Sequence, residues 1–189
     1  MTETPNPNIV DADTLTGEMH PIRRCVLSIG SNLGERIGYL QGAVNAIADT
    51  PDVWVTAVSP VYETAPVDAP EGSQDFLNAV VLADTTLSAR TLLDRALAIE
   101  DAYGRERGAG PHAPRTLDVD LIVLGDRRAG DDDLELPHPR ARERAFVLAP
   151  WHDLDPAAEL LDAGPVADLL AKASDQQVRL RDDLTLSTQ

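Results

Sequence analysis

Arg115-Thr116-Leu117-Asp118-Val119-Asp120-Leu121-Ile122-Val123-Leu124-Gly125 has the composition of a strand. Apolar and β-branched residues dominate it and a glycine closes it. Side chains alternate faces along a strand. Leu117, Val119, Leu121 and Val123 therefore share one face, and Asp118 and Asp120 share the other with Ile122 and Leu124. Asp is depleted in strands, and two like charges side by side raise each other's energy unless a cation lies between them. A divalent ion held by two carboxylates and by substrate phosphates is the usual mode of Mg²⁺ binding. Arg115, just upstream, is placed to meet those phosphates. The alternative is an edge strand whose polar face is solvated.

Working outward from this strand, a coarse order of elements emerges. Residues 25–30 form a first strand, and Gly30-Ser31-Asn32 ends it with turn chemistry. Leu33, Ile37, Leu40, Val44 and Ile47 recur at intervals of four and three, one face of a helix that Asn32 is placed to cap. A second strand covers 53–62, with Pro60 breaking its far end. A third covers 76–83. Ser88 caps a second helix whose buried side carries Leu92, Leu93, Ala96, Leu97, Ile99 and Tyr103. The aspartate strand is the fourth. Strand, helix, strand, strand, helix, strand is the split ferredoxin-like βαββαβ pattern of the α+β class, an antiparallel sheet with helices on one face. Two connections, 63–75 and 104–114, are longer than this fold needs. Both are rich in Gly and Pro, and loops of that length are expected to be functional and mobile.

Length and charge bound the chain. Its 189 residues argue for one domain with tails: a mobile tail over 1–21, which has no periodicity, a folded domain over 22–174, and a polar, frayed tail over 175–189. The hydrophobic fraction of 43% suffices for a core, and with aromatics at only 4% that core consists of Leu, Val, Ala and Ile. A net charge of −16, from 32 acids against 16 bases, argues against a nonspecific nucleic-acid surface and against an acidic membrane. Arg105, Arg107 and Arg115 nevertheless lie close in sequence, as do Arg140, Arg142 and Arg144. Basic clusters in an acidic protein point to a specific anionic ligand; a solvated helix face is the competing explanation for the second cluster. The lone Cys25 excludes an internal disulfide and reads as a buried filler. There is no apolar run long enough to span a membrane and no signal-peptide core over 1–20, so a cytoplasmic protein is expected.

Other residues suit a flat, charged ligand. Phe76 and Asn78, two apart, point to one face of their strand. A ring can stack on a heterocycle while the carboxamide reads its edge; the competing explanation makes Phe76 core and Asn78 a strand cap. His138, in the extended Leu136-Pro137-His138-Pro139, is able to donate to a phosphate. Phe146, just past Arg144, offers a second stacking face. Glu100, near the end of the second helix, is within reach of Arg105 as a simple ion pair.

Taken together, Leu27-Ser28-Ile29-Gly30-Ser31-Asn32-Leu33-Gly34, Tyr62-Glu63-Thr64-Ala65-Pro66, Asp75-Phe76-Leu77-Asn78, Glu100, Gly104-Arg105, Pro114-Arg115-Thr116-Leu117-Asp118-Val119-Asp120 and Leu136-Pro137-His138-Pro139 closely resemble the 6-hydroxymethyl-7,8-dihydropterin pyrophosphokinase family of folate biosynthesis. The resemblance runs from about Arg24 to Pro150. It implies a ferredoxin-like fold and transfer of the β,γ-pyrophosphoryl group of ATP to the pterin hydroxymethyl, giving the pterin diphosphate and AMP. It implies two Mg²⁺ ions on Asp118 and Asp120, with Arg105 and Arg115 as catalytic loop arginines. It implies a pterin pocket of Thr64, Pro66, Val67, Phe76, Asn78 and Phe146. The ATP contacts implied are Glu100, Arg107, His112, Arg115, His138 and Arg144. The expected partners are these small molecules alone, bound by a monomer. The chain departs from the family at His112, where a Trp is frequent, in the plain Gly108-Ala109-Gly110-Pro111, and in the acidic run before His138.

Overall fold

The computed structural model describes residues 20–66, 68–104 and 116–188. Its elements, in chain order, begin with β1 (Arg23–Ser31), α1 (Arg36–Ala48), β2 (Val53–Val58), β3 (Tyr62–Thr64), β4 (Phe76–Thr85), α2 (Ala89–Ala102) and β5 (Asp118–Leu124). Two small hairpins follow, β6 (Ala129–Gly130) with β7 (Glu135–Leu136) and β8 (Glu159–Leu160) with β9 (Gly164–Pro165). α3 (Ala145–Leu154), α4 (Val166–Lys172) and β10 (Arg179–Leu180) complete the set. Among the described residues the main sheet has six strands. β1 lies between β4 and β5, the far side of β4 is shared by β2 and β3, and β10 flanks β3. Every pairing in it is antiparallel.

The alternation read along the aspartate strand governs the layers. Leu27, Ile29, Ala79, Val81, Val119 and Leu121 face α1 and α2, where Leu40, Ala43, Val44, Ile47, Leu92 and Ala96 meet them. Val26, Val80, Leu82 and Ile122 face the other way and are covered by Val147, Leu148 and Trp151 of α3, with Val166 and Leu169 of α4. Helices therefore lie on both faces, not on one as the element order implied. The second sheet face is itself apolar over half its length, and an apolar face has to be buried against another layer.

Local expectations fared unevenly. Ser88 caps α2 as anticipated, its Oγ accepting the Thr91 N–H at 3.0 Å. β1, however, runs on through Gly30 to Ser31, because that stretch pairs fully with β4. α1 consequently starts at Arg36 behind Glu35, without the Asn32 cap, and Leu33 is 43% exposed instead of buried. The expected strand over 53–62 is broken into β2 and β3 at Ser59-Pro60; proline has no N–H for the ladder. The aspartate strand starts at Asp118, with Leu117 buried just before it.

The C-terminal segment is not a frayed tail. β10 pairs with β3, Leu184 and Leu186 pack against the core, and Gln41 and Ser187 exchange two hydrogen bonds of 2.9 Å. Its polar composition hid two leucines at a spacing of two, enough to seat an extended segment on a helix. No helix among the described residues is long and apolar enough to cross a membrane.

Candidate active site

The sheet register builds the site. Gly30 pairs with Asn78 on one side and Asp118 on the other, and Tyr62 pairs with Asn78. One row across four strands therefore reads Tyr62, Asn78, Gly30, Asp118. The adjoining positions add Ser28 opposite Asp120 and Thr64 opposite Phe76. Asn78 is 3% exposed, and its Nδ2 donates to Thr64 Oγ1 at 2.9 Å. A Cβ on Gly30 would lie 3.2 Å from Asn78 Oδ1 and 3.7 Å from Phe76 Cδ1. Gly30 is thus a glycine for close approach: the Asn78 oxygen and the Phe76 ring lie against the position its side chain would take, and the low stretch of sheet face between the carboxamide and the carboxylates is the trough.

Asp118 and Asp120 are both half-buried and point to the trough side of β5, alternating with the buried Val119 and Leu121. Successive same-face positions on a strand are ~6.6 Å apart. The residues opposite them on β1 are Gly30 and Ser28, too small to fill the space above the carboxylates. Two hard oxygen donors beside an open trough fit a Mg²⁺ ion that draws its other ligands from water and phosphate. Among the described residues no group of three or more His, Cys, Asp or Glu gathers to form an all-protein cage.

His138 lies along the outer edge of β5. Its backbone N–H donates to the Ile122 carbonyl at 2.8 Å, two residues past Asp120. Its Nδ1 accepts the Arg140 N–H at 3.2 Å, so in the neutral ring Nε2 carries the proton. Burial, then the charges of Arg144 and Arg140, hold its pKa below the ordinary histidine value, so the ring is a neutral donor at pH 7. Arg144 precedes α3, and its guanidinium lies 5.4 Å from the centre of the Phe146 ring, a cation–π contact that covers one face of that ring. The hydroxyl of Tyr62, on β3, donates to Asp153 of α3 and ties the far wall of the trough to the covering helix.

Of the residues expected at a site, Thr64, Phe76, Asn78, Asp118 and Asp120 come together on one sheet face, Phe146 packs against the apolar part of that face, and His138 and Arg144 lie in the chain beyond β5. Pro66 is half-buried just past β3. Glu100 does not face this trough. It is 2% exposed on the α2 side, where its Oε1 accepts the Val119 N–H at 2.9 Å. Helical periodicity places it one turn beyond Ala96, and through the Val119 N–H it braces the aspartate strand. Val67, Arg105, Arg107, His112 and Arg115 lie outside the described residues. Three contributors were not singled out from sequence: Gly30 as a point of close approach, Ser28 opposite Asp120, and Glu63, buried behind β3. The signal for the first two was Ser28 and Gly30 two apart in an apolar strand, small residues on one face.

The fold is an α+β antiparallel sheet covered by helices, with an amide, a glycine and two carboxylates brought to one face. The family model for 7,8-dihydro-6-hydroxymethylpterin-pyrophosphokinase (HPPK) matches residues 26–156, and the chain belongs to that family. Among curated relatives, the 2-amino-4-hydroxy-6-hydroxymethyldihydropteridine pyrophosphokinase of Mycobacterium tuberculosis is 44% identical over 162 residues, 79% of this chain and 83% of that protein. The enzyme of the same name from Mycobacterium leprae is 47% identical over 152 residues, 75% of this chain and 76% of that protein. Among solved structures, wild-type Plasmodium falciparum HPPK-DHPS superposes with a TM-score of 0.62 at 14% identity, which bears on the fold alone. The match covers 82% of this chain and 45% of that longer one.

Proposed function

We propose that this chain transfers the pyrophosphoryl group of ATP to the hydroxymethyl oxygen of 6-hydroxymethyl-7,8-dihydropterin, on a ferredoxin-like βαββαβ core, releasing AMP. In that reaction the pterin hydroxyl oxygen bonds to the β-phosphorus, the bond from the β-phosphorus to the oxygen bridging the α-phosphate breaks, and the hydroxyl proton is lost. Family membership supports the reaction class. The observation that supports the site assignment is the row Asn78–Gly30–Asp118, an amide and a carboxylate on either side of a glycine, which we read as the ring-binding and metal-binding ends of one site.

Phosphoryl transfer relies on positioning and charge stabilisation more than on covalent chemistry by the protein. Asp118 and Asp120 would hold two Mg²⁺ ions, which when bound offset the charge of the triphosphate. Asn78, oriented by Thr64, binds the pterin edge and fixes the ring. Phe76 stacks on the ring from the end of β4, with Phe146 and Pro66 closing the pocket. Neutral His138 donates Nε2–H to a phosphate oxygen, and Arg144 adds charge beside it. Arg105, Arg107, His112 and Arg115 take the nucleotide and loop roles that the family resemblance gives them, as does Val67 in the pterin pocket.

The deciding experiment mixes the protein with ATP, Mg²⁺ and hydroxymethyl-dihydropterin and separates the nucleotides. AMP with the pterin diphosphate is expected; ADP or inorganic phosphate would instead mark a different phosphotransferase built on the same aspartates. Calorimetry adds a check on the pocket. Asn78→Ala is expected to weaken pterin binding more than Phe76→Leu, because ring donors and acceptors are left unpaired. A variant that kept the pterin and lost ATP would put the pocket on the wrong side of the metals.

A further inference from the structure

Behind the trough, on the opposite face of β3, the carboxylate of Glu63 is 8% exposed and meets three arginines. Arg36 Nη1 and Arg181 Nη1 both donate to Oε2 at 2.9 Å, and Arg179 donates to Oε1. The same Arg36 nitrogen donates to the Asp75 carbonyl at 2.7 Å. Glu63 and Asp75 stand at the two ends of the connection between β3 and β4, so one guanidinium spans its mouth. Arg181 also gives its backbone N–H to the Val61 carbonyl at 2.8 Å, fastening the other end of β3.

β3 is three residues long, too short to be held firmly by its ladder alone. Its two faces have separate duties: Glu63 points back to the arginines, and Thr64 points forward to the Asn78 amide. A buried ion cluster is a weak source of stability, since apolar residues of similar volume commonly stabilise as well. What it supplies is direction. Moving β3 by a fraction of its spacing would carry Thr64 off Asn78 and turn the amide that faces the trough.

Resting on the pterin reading of that trough, we propose that Glu63 is a positioning residue for the ring-binding half of the site. Arg36 clamps the mouth of the β3–β4 connection, and the C-terminal segment, through Arg179 and Arg181, belongs to the pterin-binding apparatus. Glu63 and Arg179 stand on β3 and β10, across the sheet from the β5 strand that carries Asp118 and Asp120, so the two substrates respond differently.

The test uses the full-length protein carrying Arg36→Met, Arg36→Lys, Arg181→Met or Glu63→Gln. Steady-state kinetics are measured in each substrate, with thermal unfolding and amide exchange over 68–75 in the ligand-free protein. In Arg36→Met the KM for the pterin is expected to rise roughly tenfold, the scale on which small misplacements act, with the KM for ATP within twofold. Exchange over 68–75 is expected to quicken, and Arg36→Lys to recover part of both effects. Glu63→Gln and Arg181→Met are expected to move the pterin KM in the same direction. A pterin KM within twofold of wild type in Arg36→Met and Glu63→Gln overturns the proposal, as does a parallel rise in both KM values. If the wild-type protein makes no AMP, it is the functional reading that fails. The exchange data still judge the clamp: unchanged exchange in Arg36→Met overturns it, and faster exchange supports it.

Discussion

The two faces of the central sheet are made from alternate residues of the same strands, yet they are built to different rules. On the α1 and α2 side, Leu27, Ile29, Val119 and Leu121 interlock with helical leucines and alanines and leave almost nothing accessible. On the other side the apolar layer stops partway. Val80, Val26 and Ile122 are covered by α3, while Asn78 and Asp120, one same-face step further along, and Gly30 and Asp118, two steps along, line a trough. The first face illustrates close packing, where each methylene contributes to stability. The second shows stability withheld, with a glycine and two carboxylates where a strand would gain from large apolar residues. Residues two apart on one strand therefore answer to different pressures, and substitutions on the two faces should separate activity from stability.

The largest expected effect is on the trough side. Asp118→Ala and Asp120→Ala should each lower turnover by about 10³-fold, as losing several kcal/mol of metal-borne charge stabilisation implies. Far-ultraviolet circular dichroism should show the fold retained in both variants. Near-normal Mg²⁺-dependent activity in either variant would sink the metal assignment.

Ile29→Ala probes the opposite face of the same segment of β1. Ile29 is 1% exposed between Ala79 and Val119, and the cavity should cost about 2–5 kcal/mol in denaturant unfolding. Well below its new midpoint, the variant should keep both KM values. A selective loss of pterin affinity would mean that the two faces are coupled more tightly than alternation suggests.

Gly30→Ala sharpens the comparison with a single methyl group. The new Cβ would sit 3.2 Å from Asn78 Oδ1 and 3.7 Å from the Phe76 ring, so it intrudes on the trough without entering the core. Pterin affinity should fall roughly tenfold, about 1.4 kcal/mol, with little change in unfolding. Unaltered pterin affinity by calorimetry would show that the ring binds elsewhere.

The smallest effect concerns His138. Its pKa is lowered in the folded state, by burial first and then by Arg144 and Arg140. The unfolded chain therefore binds this proton more readily, below pH ~6.5. The histidine's contribution to stability is complete above that pH and is lost as pH falls toward and through its lowered folded value. In His138→Asn, whose Oδ1 can take the Arg140 N–H in place of Nδ1, the loss of stability between pH 7 and pH 5 should be shallower than in wild type. An equal or steeper slope in urea unfolding would contradict the assignment.

The thiol of Cys25 illustrates a reading that needed little from the fold. An apolar run around a single cysteine implied burial, and in the structure burial pushes its pKa up to about 12, so it has no reactive role. Glu100 illustrates the opposite. A carboxylate near a helix end and close in sequence to Arg105, which lies outside the described residues, read as an ion pair or a ligand contact; its position one turn past Ala96 seats one of its oxygens against a backbone N–H of β5. Helical periodicity contained that answer, but a charged residue on an apolar stripe is easily assigned to solvent.

What the sequence determined by itself was local and periodic. Period two placed Asp118 and Asp120 on one face and Phe76 with Asn78 on another strand's face, and Ser88 announced the start of α2. These outcomes depend on geometry within a few residues, which the chain carries wherever it folds. Only the tertiary structure decided the rest. The register that sets Gly30 between Asn78 and Asp118 is fixed by packing both sheet faces at once, and the layer of α3 and α4 comes from a second apolar face that needs cover. The Glu63 cluster joins residues 118 positions apart, and a buried carboxylate finds its arginines only when the chain ends have been brought together, because the free energy of that contact does not exist in any local stretch.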